Sequence, residues 1–209
     1  MSGYFITFEG IDFCGKSEQS QRLARKLQQK NKSVILIRDP GTTQISEQIR
    51  EILLNAKINN MCRETELLLF EAARAQMVAE TILPALNDDK FVICDRFYDS
   101  TTAYQGYGRL LDLKFINEVN RFASNHREPD LTFFLDVSPD VALKRQTHAR
   151  QKSDRMEREP LEFKLRIRNG FLEIARLAPE RFIVLNGNES IETIEEQIRE
   201  HVWERMNIN

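Results

Sequence analysis

Gly10-Ile11-Asp12-Phe13-Cys14-Gly15-Lys16-Ser17 sets two glycines, a lysine and a hydroxyl at the spacing of a phosphate-cradling loop. At a strand-to-helix turn, successive backbone N–H groups and the positive helix end converge on phosphate oxygens, so all eight residues are candidate nucleotide contacts. Lys16 would reach the β- and γ-phosphates, and Ser17 would ligate Mg²⁺. Two further basic residues stand just after apolar runs, Arg38 in Arg38-Asp39-Pro40-Gly41-Thr42 and Arg96 in Asp95-Arg96-Phe97-Tyr98. A single such arginine is as easily a snorkelling side chain as an anion ligand, but a guanidinium fork suits a phosphate dianion. Side by side, Arg38 and Arg96 would hold a second phosphate facing the first nucleotide. Asp95 is either the outer partner of the Mg²⁺ on Ser17 or a helix N-cap.

These residues need a frame that brings strand ends together. Apolar runs predict strands at Gly3 to Phe8, Ser33 to Arg38, Phe91 to Asp95, Leu131 to Val137 and Phe182 to Asn186, all five buried on both faces. Between them, helical spacing covers Glu18 to Lys30, Thr43 to Asn55, Arg63 to Leu86, Asp112 to Asn125, Pro139 to Arg150, Pro160 to Ala178 and Ser190 to Met206. Alternation of this kind implies an α/β fold with a five-stranded parallel sheet in a three-layer αβα sandwich. Ligands then sit at the carboxyl ends of the strands, where the phosphate loop, Arg38, Asp95 and Arg96 all fall.

Composition fits one globular enzyme domain spanning residues 1–209. Thirty basic against 32 acidic residues leave a formal charge of -2, which supplies no field for nucleic acid or membrane. No apolar run approaches the roughly 20 residues of a membrane helix, and the N-terminus lacks a leader pattern, so the expected compartment is the cytoplasm. Cys14, Cys62 and Cys94 have no metal-ligand spacing and read as reduced thiols. Cys14, beside Lys16 at a helix start, is either a reactive thiol or a small filler.

The chain resembles the thymidylate kinase family of P-loop nucleoside monophosphate kinases nearly end to end. The resemblance is carried by Phe8-Glu9-Gly10-Ile11-Asp12 with Gly15-Lys16-Ser17, by Arg38 to Thr42, and by Leu69-Phe70-Glu71-Ala72-Ala73-Arg74-Ala75-Gln76. Asp95-Arg96-Phe97, Ala103-Tyr104-Gln105-Gly106 and Asp154-Arg155-Met156-Glu157 complete it. It implies transfer of the γ-phosphate of ATP to dTMP with Mg²⁺, small-molecule nucleotide partners, and a homodimer. It also implies that Phe70 stacks on thymine while Arg74, one helical turn on, donates to a base carbonyl. Without the resemblance Phe70 would read as a continuation of the core run Leu67-Leu68-Leu69. Thr101 and Gln105 are candidates for the remaining base edge, since an amide both donates and accepts. Tyr98 stands where the family sets an aromatic ring against the sugar, and Asp12 matches the carboxylate that meets the acceptor's 3′-hydroxyl.

Some positions depart from the family. Phe13 stands where some members carry an arginine for the transferring phosphate, and Thr42, Asp39, Cys14 and Glu18 also differ, yet none removes a phosphate contact. The missing cation is expected from a mobile lid at about 145–158, with Arg150 first and Arg145 and Arg155 next. From charge alone the same basic run reads equally as a solvated face. Lys16, Arg96, Arg150 and Asp95 are thus the expected catalytic set. A deoxynucleoside kinase or a noncatalytic nucleotide-sensing protein would share the phosphate loop; the former needs a carboxylate base for a hydroxyl acceptor, and paired arginines do not suit it.

Overall fold

A computed structural model describes residues 3–149 and 153–206. Five parallel strands form one sheet in the order β2-β3-β1-β4-β5, with β1 Tyr4–Glu9, β2 Val34–Arg38, β3 Phe91–Asp95, β4 Leu131–Asp136 and β5 Phe182–Asn186. Helices α1 (Lys16–Gln29), α2 (Gln44–Leu54) and α3 (Arg63–Met77) follow the first two strands. Then come α4 (Leu83–Asn87), α5 (Tyr98–Thr101), α6 (Leu113–Ala123), α7 (Pro139–Ala149), α8 (Leu161–Leu177) and α9 (Ile191–Met206). Period-two alternation divides the sheet's side chains between two helical layers. Ile6, Phe8 and Ile93 pack with Leu23 and Leu27 of α1 and with Ile194 and Ile198 of α9. Phe5, Val92, Cys94 and Ile37 pack on the other side with Met77, Ile82 and Leu86.

The expected sandwich stands, with three local corrections. Leu36 on β2 and Val184 on β5 are exposed, because these two strands form the sheet edges rather than lying buried on both faces. The helix expected from Arg63 to Leu86 widens into a π-turn over Val78–Ile82 before α4 resumes. Pro84 is the cause: it cannot donate to the carbonyl one turn back, and its ring crowds that carbonyl. The stretch after β3, to which the sequence pattern assigns no helix, forms α5 and then a second π-turn at Thr102–Gly108. Its glycines permit the fit, since a Cβ on Gly106 would lie 2.6 Å from Leu113 and one on Gly108 2.7 Å from the Phe163 ring.

Register sets the site. Phe8 of β1 and Arg38 of β2 both pair with Asp95 of β3, so the three strands deliver their following loops to one edge. Among the described residues, no helix is long and apolar enough to cross a membrane.

Candidate active site

The phosphate loop leaves β1 at Glu9 and enters α1 at Lys16, turning through left-handed backbone at Gly10 (φ 143), Phe13 (φ 63) and Gly15 (φ 103). A Cβ on Gly10 would lie 2.7 Å from Cys14 Sγ and 2.9 Å from the Leu135 carbonyl, so only glycine fits there. Phe13 holds its conformation without that freedom, a local strain of order 1 kcal/mol that its surroundings must overcome. Part of the restraint is Arg145 of α7, whose guanidinium donates to the carbonyls of Phe13 (3.4 Å), Cys14 (3.2 Å) and Gly187 (2.8 Å). Burial pushes the Cys14 thiol up, with Lys16 only partly opposing it, so the cysteine is filler.

Lys16 lies buried in the loop, its Nζ 3.7 Å from Asp12 Oδ1 and 3.4 Å from the Ile11 carbonyl. The Ser17 hydroxyl donates to Asp95 Oδ2, while Asp95 Oδ1 is buried without a partner. A hydroxyl and a carboxylate with an idle oxygen suit a hard cation whose other ligands are phosphate oxygens and water. Among the described residues no group of three or more His, Cys, Asp or Glu side chains is placed to hold a metal by itself.

Arg96 takes up a left-handed backbone (φ 73) at the end of β3, which turns its side chain across the loop. Its guanidinium donates to the Gly10 carbonyl (2.8 Å), Ser100 Oγ (3.1 Å), Asp12 Oδ1 (2.5 Å) and the Tyr104 hydroxyl (3.1 Å). Desolvation would raise the Asp12 carboxyl, but Arg96 and Lys16 outweigh it and hold it at about 2. Beneath Arg96, the Glu9 carboxyl accepts from Phe97 N–H (2.8 Å) and the Ser100 hydroxyl (2.6 Å). Burial, reinforced by Asp99 and only partly offset by Arg96 and these donors, pushes Glu9 up to about 8.

One pocket continues from Asp12 and Arg96 past Arg50 and Tyr104 to Phe70, Arg74, Thr101 and Gln105. Phe70 is half-buried at its wall rather than in the core. Arg74, fully buried, donates through Nε to Asp39 Oδ2 (2.6 Å) and through Nη1 to Glu71 and to Asn120 Oδ1 (3.4 Å), leaving Nη2 outside these bonds. Burial opposes its charge, but Asp39 and Glu71 raise its pKa further. Gln105 Nε2 donates to Glu66 Oε1 (2.8 Å), and the buried Thr101 hydroxyl has no partner. Two aromatic or amide groups, a fixed cation and an idle hydroxyl thus surround a space open to the phosphate loop.

Several expected residues lie elsewhere or are otherwise engaged. Arg38 is exposed and paired with Glu47 at 2.9 Å; it lines the neighbouring opening with Ser17 and Asp95, not the pocket of Arg96. Arg50, which no motif marked, lines both spaces and donates to the Pro40 carbonyl at 2.8 Å. Its pKa is lowered by burial and then by the like charge of Arg38 and, more weakly, Arg96, with Glu47 opposing. Tyr98 faces a separate cleft beside Asp99 and Arg181, so the aromatic ring next to Arg96 and Asp12 is Tyr104. The cause is helical: α5 starts at Tyr98 and turns it away from Arg96, whereas Tyr104 follows almost two turns later. Arg155 donates to the Leu53 carbonyl (2.7 Å) and Glu66 Oε2 (2.5 Å). Arg150 lies outside the described residues.

Comparison with known proteins agrees with this geometry. The family model described as thymidylate kinase matches residues 8–198. A thymidylate kinase from Prosthecochloris aestuarii is 46% identical over 96% of this chain and 93% of its own length. One from Geobacter sulfurreducens is 48% identical over 91% of this chain and 92% of its own. The solved thymidylate kinase of Ehrlichia chaffeensis superposes with a TM-score of 0.78 at 35% identity, covering 97% of this chain and 99% of that one. With the family model matched over residues 8–198 and relatives of nearly half identical sequence along almost the whole chain, this chain belongs to the thymidylate kinase family.

Proposed function

We propose that the protein transfers the γ-phosphate of ATP to dTMP, giving dTDP and ADP. The observation that carries the reading is the single pocket that joins Phe70, Arg74 and Gln105 at one end to Arg50, Arg96 and the phosphate loop at the other. The thymine ring stacks on Phe70 and is met by Arg74 and Gln105, which puts its monophosphate at Arg50 and Arg96. ATP lies on residues 10–17, with Lys16 on its terminal phosphates. An acceptor phosphate oxygen attacks the γ-phosphorus as the bond to the β-phosphate oxygen breaks. That oxygen is already ionised, so no general base is required. Asp12, held at about 2, keeps its charge and anchors Arg96 and the acceptor's 3′-hydroxyl.

Ser17 and Asp95 would hold Mg²⁺, which neutralises charge on the β- and γ-phosphates when bound. Arg38 lines the same opening as Ser17 and Asp95, and Arg145 braces the loop carbonyls. Residues 145–158 form a lid over one kinase domain, and Arg150 is the cation it brings to the transferring phosphate. The chain works as a homodimer: Phe115 and Phe122 stand exposed on α6, a large apolar area for one helix. Three free thiols suit a cytoplasmic enzyme.

A coupled assay of ADP release tests the reading. Release should require dTMP and Mg²⁺ and should not be supported by thymidine, because Arg50 and Arg96 are arranged for a phosphate. Turnover with thymidine equal to that with dTMP would instead establish a nucleoside kinase. ADP release that no pyrimidine nucleotide stimulates would leave a nucleotide-binding protein without this transfer.

A further inference from the structure

The carboxylate of Glu66 does something the phosphate chemistry does not use. It is almost completely buried on α3, yet it accepts from three side chains on two other segments: Gln105 Nε2 at 2.8 Å, Arg109 at 3.0 and 2.9 Å, and Arg155 Nη1 at 2.5 Å. Burial alone would raise its pKa, but the bonds from Arg109 and Gln105 and the charges of Arg109 and Arg155 lower it, so the group is an anion. An ionised carboxylate can only accept. The side-chain amide of Gln105 therefore has one allowed orientation, with its nitrogen toward Glu66 and its oxygen left over on a residue that lines the base pocket.

We propose that Glu66 is the positioning residue for base specificity: it pins Gln105 so that the amide oxygen faces the base as an acceptor. A base with N3–H finds its partner there. A base with a bare N3, such as cytosine, meets an acceptor with an acceptor, which a buried site refuses. Arg109 and Arg155 hold Glu66 charged, so the orientation of one amide depends on two arginines outside the pocket's aromatic wall. The proposal rests on reading the pocket as a pyrimidine monophosphate site, and wild-type turnover of dTMP tests that separately.

The test is the ratio of kcat/KM for dTMP to that for dCMP, with ATP saturating. Glu66→Gln keeps the shape but can donate to the Gln105 oxygen, so the amide can flip and the ratio should fall by about tenfold or more, with part of the change a gain on dCMP. Glu66→Asp keeps an acceptor-only anion and should hold the ratio within about threefold of wild type, even where stability drops. Equal losses on both substrates in Glu66→Gln, with the ratio unchanged, would overturn the proposal and leave Glu66 a structural ion-pair partner. If that variant does not fold, the wild-type protein answers by NMR. The Gln105 Nε protons should give NOEs to the Glu66 side-chain methylene protons before dTMP is added. Nε protons that instead show NOEs only toward the pocket side chains Phe70 and Arg74 would sink the idea.

Discussion

Lys16 stands inside the loop proposed to cradle the donor phosphates, with Asp12 as its only carboxylate contact among the described residues, at 3.7 Å. Its charge is free to follow the phosphoryl group, and removing a preorganised cation from a dry site costs about 3 kcal/mol of transition-state stabilisation. Lys16→Ala should therefore lower kcat by about two orders of magnitude with an unchanged melting curve. A variant that turns over near the wild-type rate would remove the loop as the donor site. The placement of Lys16 and Ser17 in the loop and of Arg74 at the pocket was legible in sequence because each belongs to a short motif with fixed spacing. Arg50 was not, since it sits mid-helix in α2 with nothing local to mark it, and only the docking of α2 on α3 carries it to the pocket. Tyr104 was legible as part of a motif but not as the ring beside Arg96. That assignment depended on helical phase after Asp95, which an unread π-turn obscured.

Elements were legible where the pattern is long and apolar. Phe91–Asp95 and Phe182–Asn186 match their expected strands to the residue, because runs of β-branched and aromatic side chains bounded by polar residues leave no other reading. The two π-turns were not, because one extra residue in a helical turn leaves composition unchanged and betrays itself only through packing. Helix α7 shows how an element can serve a site from a distance. Expected to bring a cation to the transferring phosphate, Arg145 instead ties α7 to the phosphate loop and to Gly187 after β5 through three carbonyls. Arg145→Ala should loosen that loop and raise the KM for ATP more than it changes the KM for dTMP. Arg145→Lys should not restore it, since a single ammonium cannot span three carbonyls as a planar fork does. Kinetics in which kcat alone falls, with both KM values held, would return Arg145 to the transferring phosphate.

Across the whole molecule, burial of Glu9 makes stability depend on pH. Its folded pKa of about 8 lies above the ordinary carboxyl value of 4.5. The folded state thus keeps a proton that the unfolded chain releases, and the stabilisation present below about 4.5 is lost as pH rises toward 8. Melting temperatures should decline across that window, and Glu9→Gln, which cannot titrate, should flatten the decline. A wild-type curve no steeper than that of the variant would refute the assignment. At Arg50, burial and then the like charge of Arg38 and, more weakly, Arg96 lower the pKa, with Glu47 opposing. Arg50, half-buried beside other guanidiniums and without a carboxylate partner in an ion pair among the described residues, makes the empty protein the strained partner of an equilibrium, so occupancy and heat resistance become one measurement. At a hundred times its dissociation constant, dTMP should add about 2.7 kcal/mol to the unfolding free energy and raise Tm by about 5–10 °C. Arg50→Met should leave the empty protein as stable as the wild type or more so, while shrinking the rise that dTMP produces. A melting scan against nucleotide concentration would then read the acceptor site without any catalysis taking place.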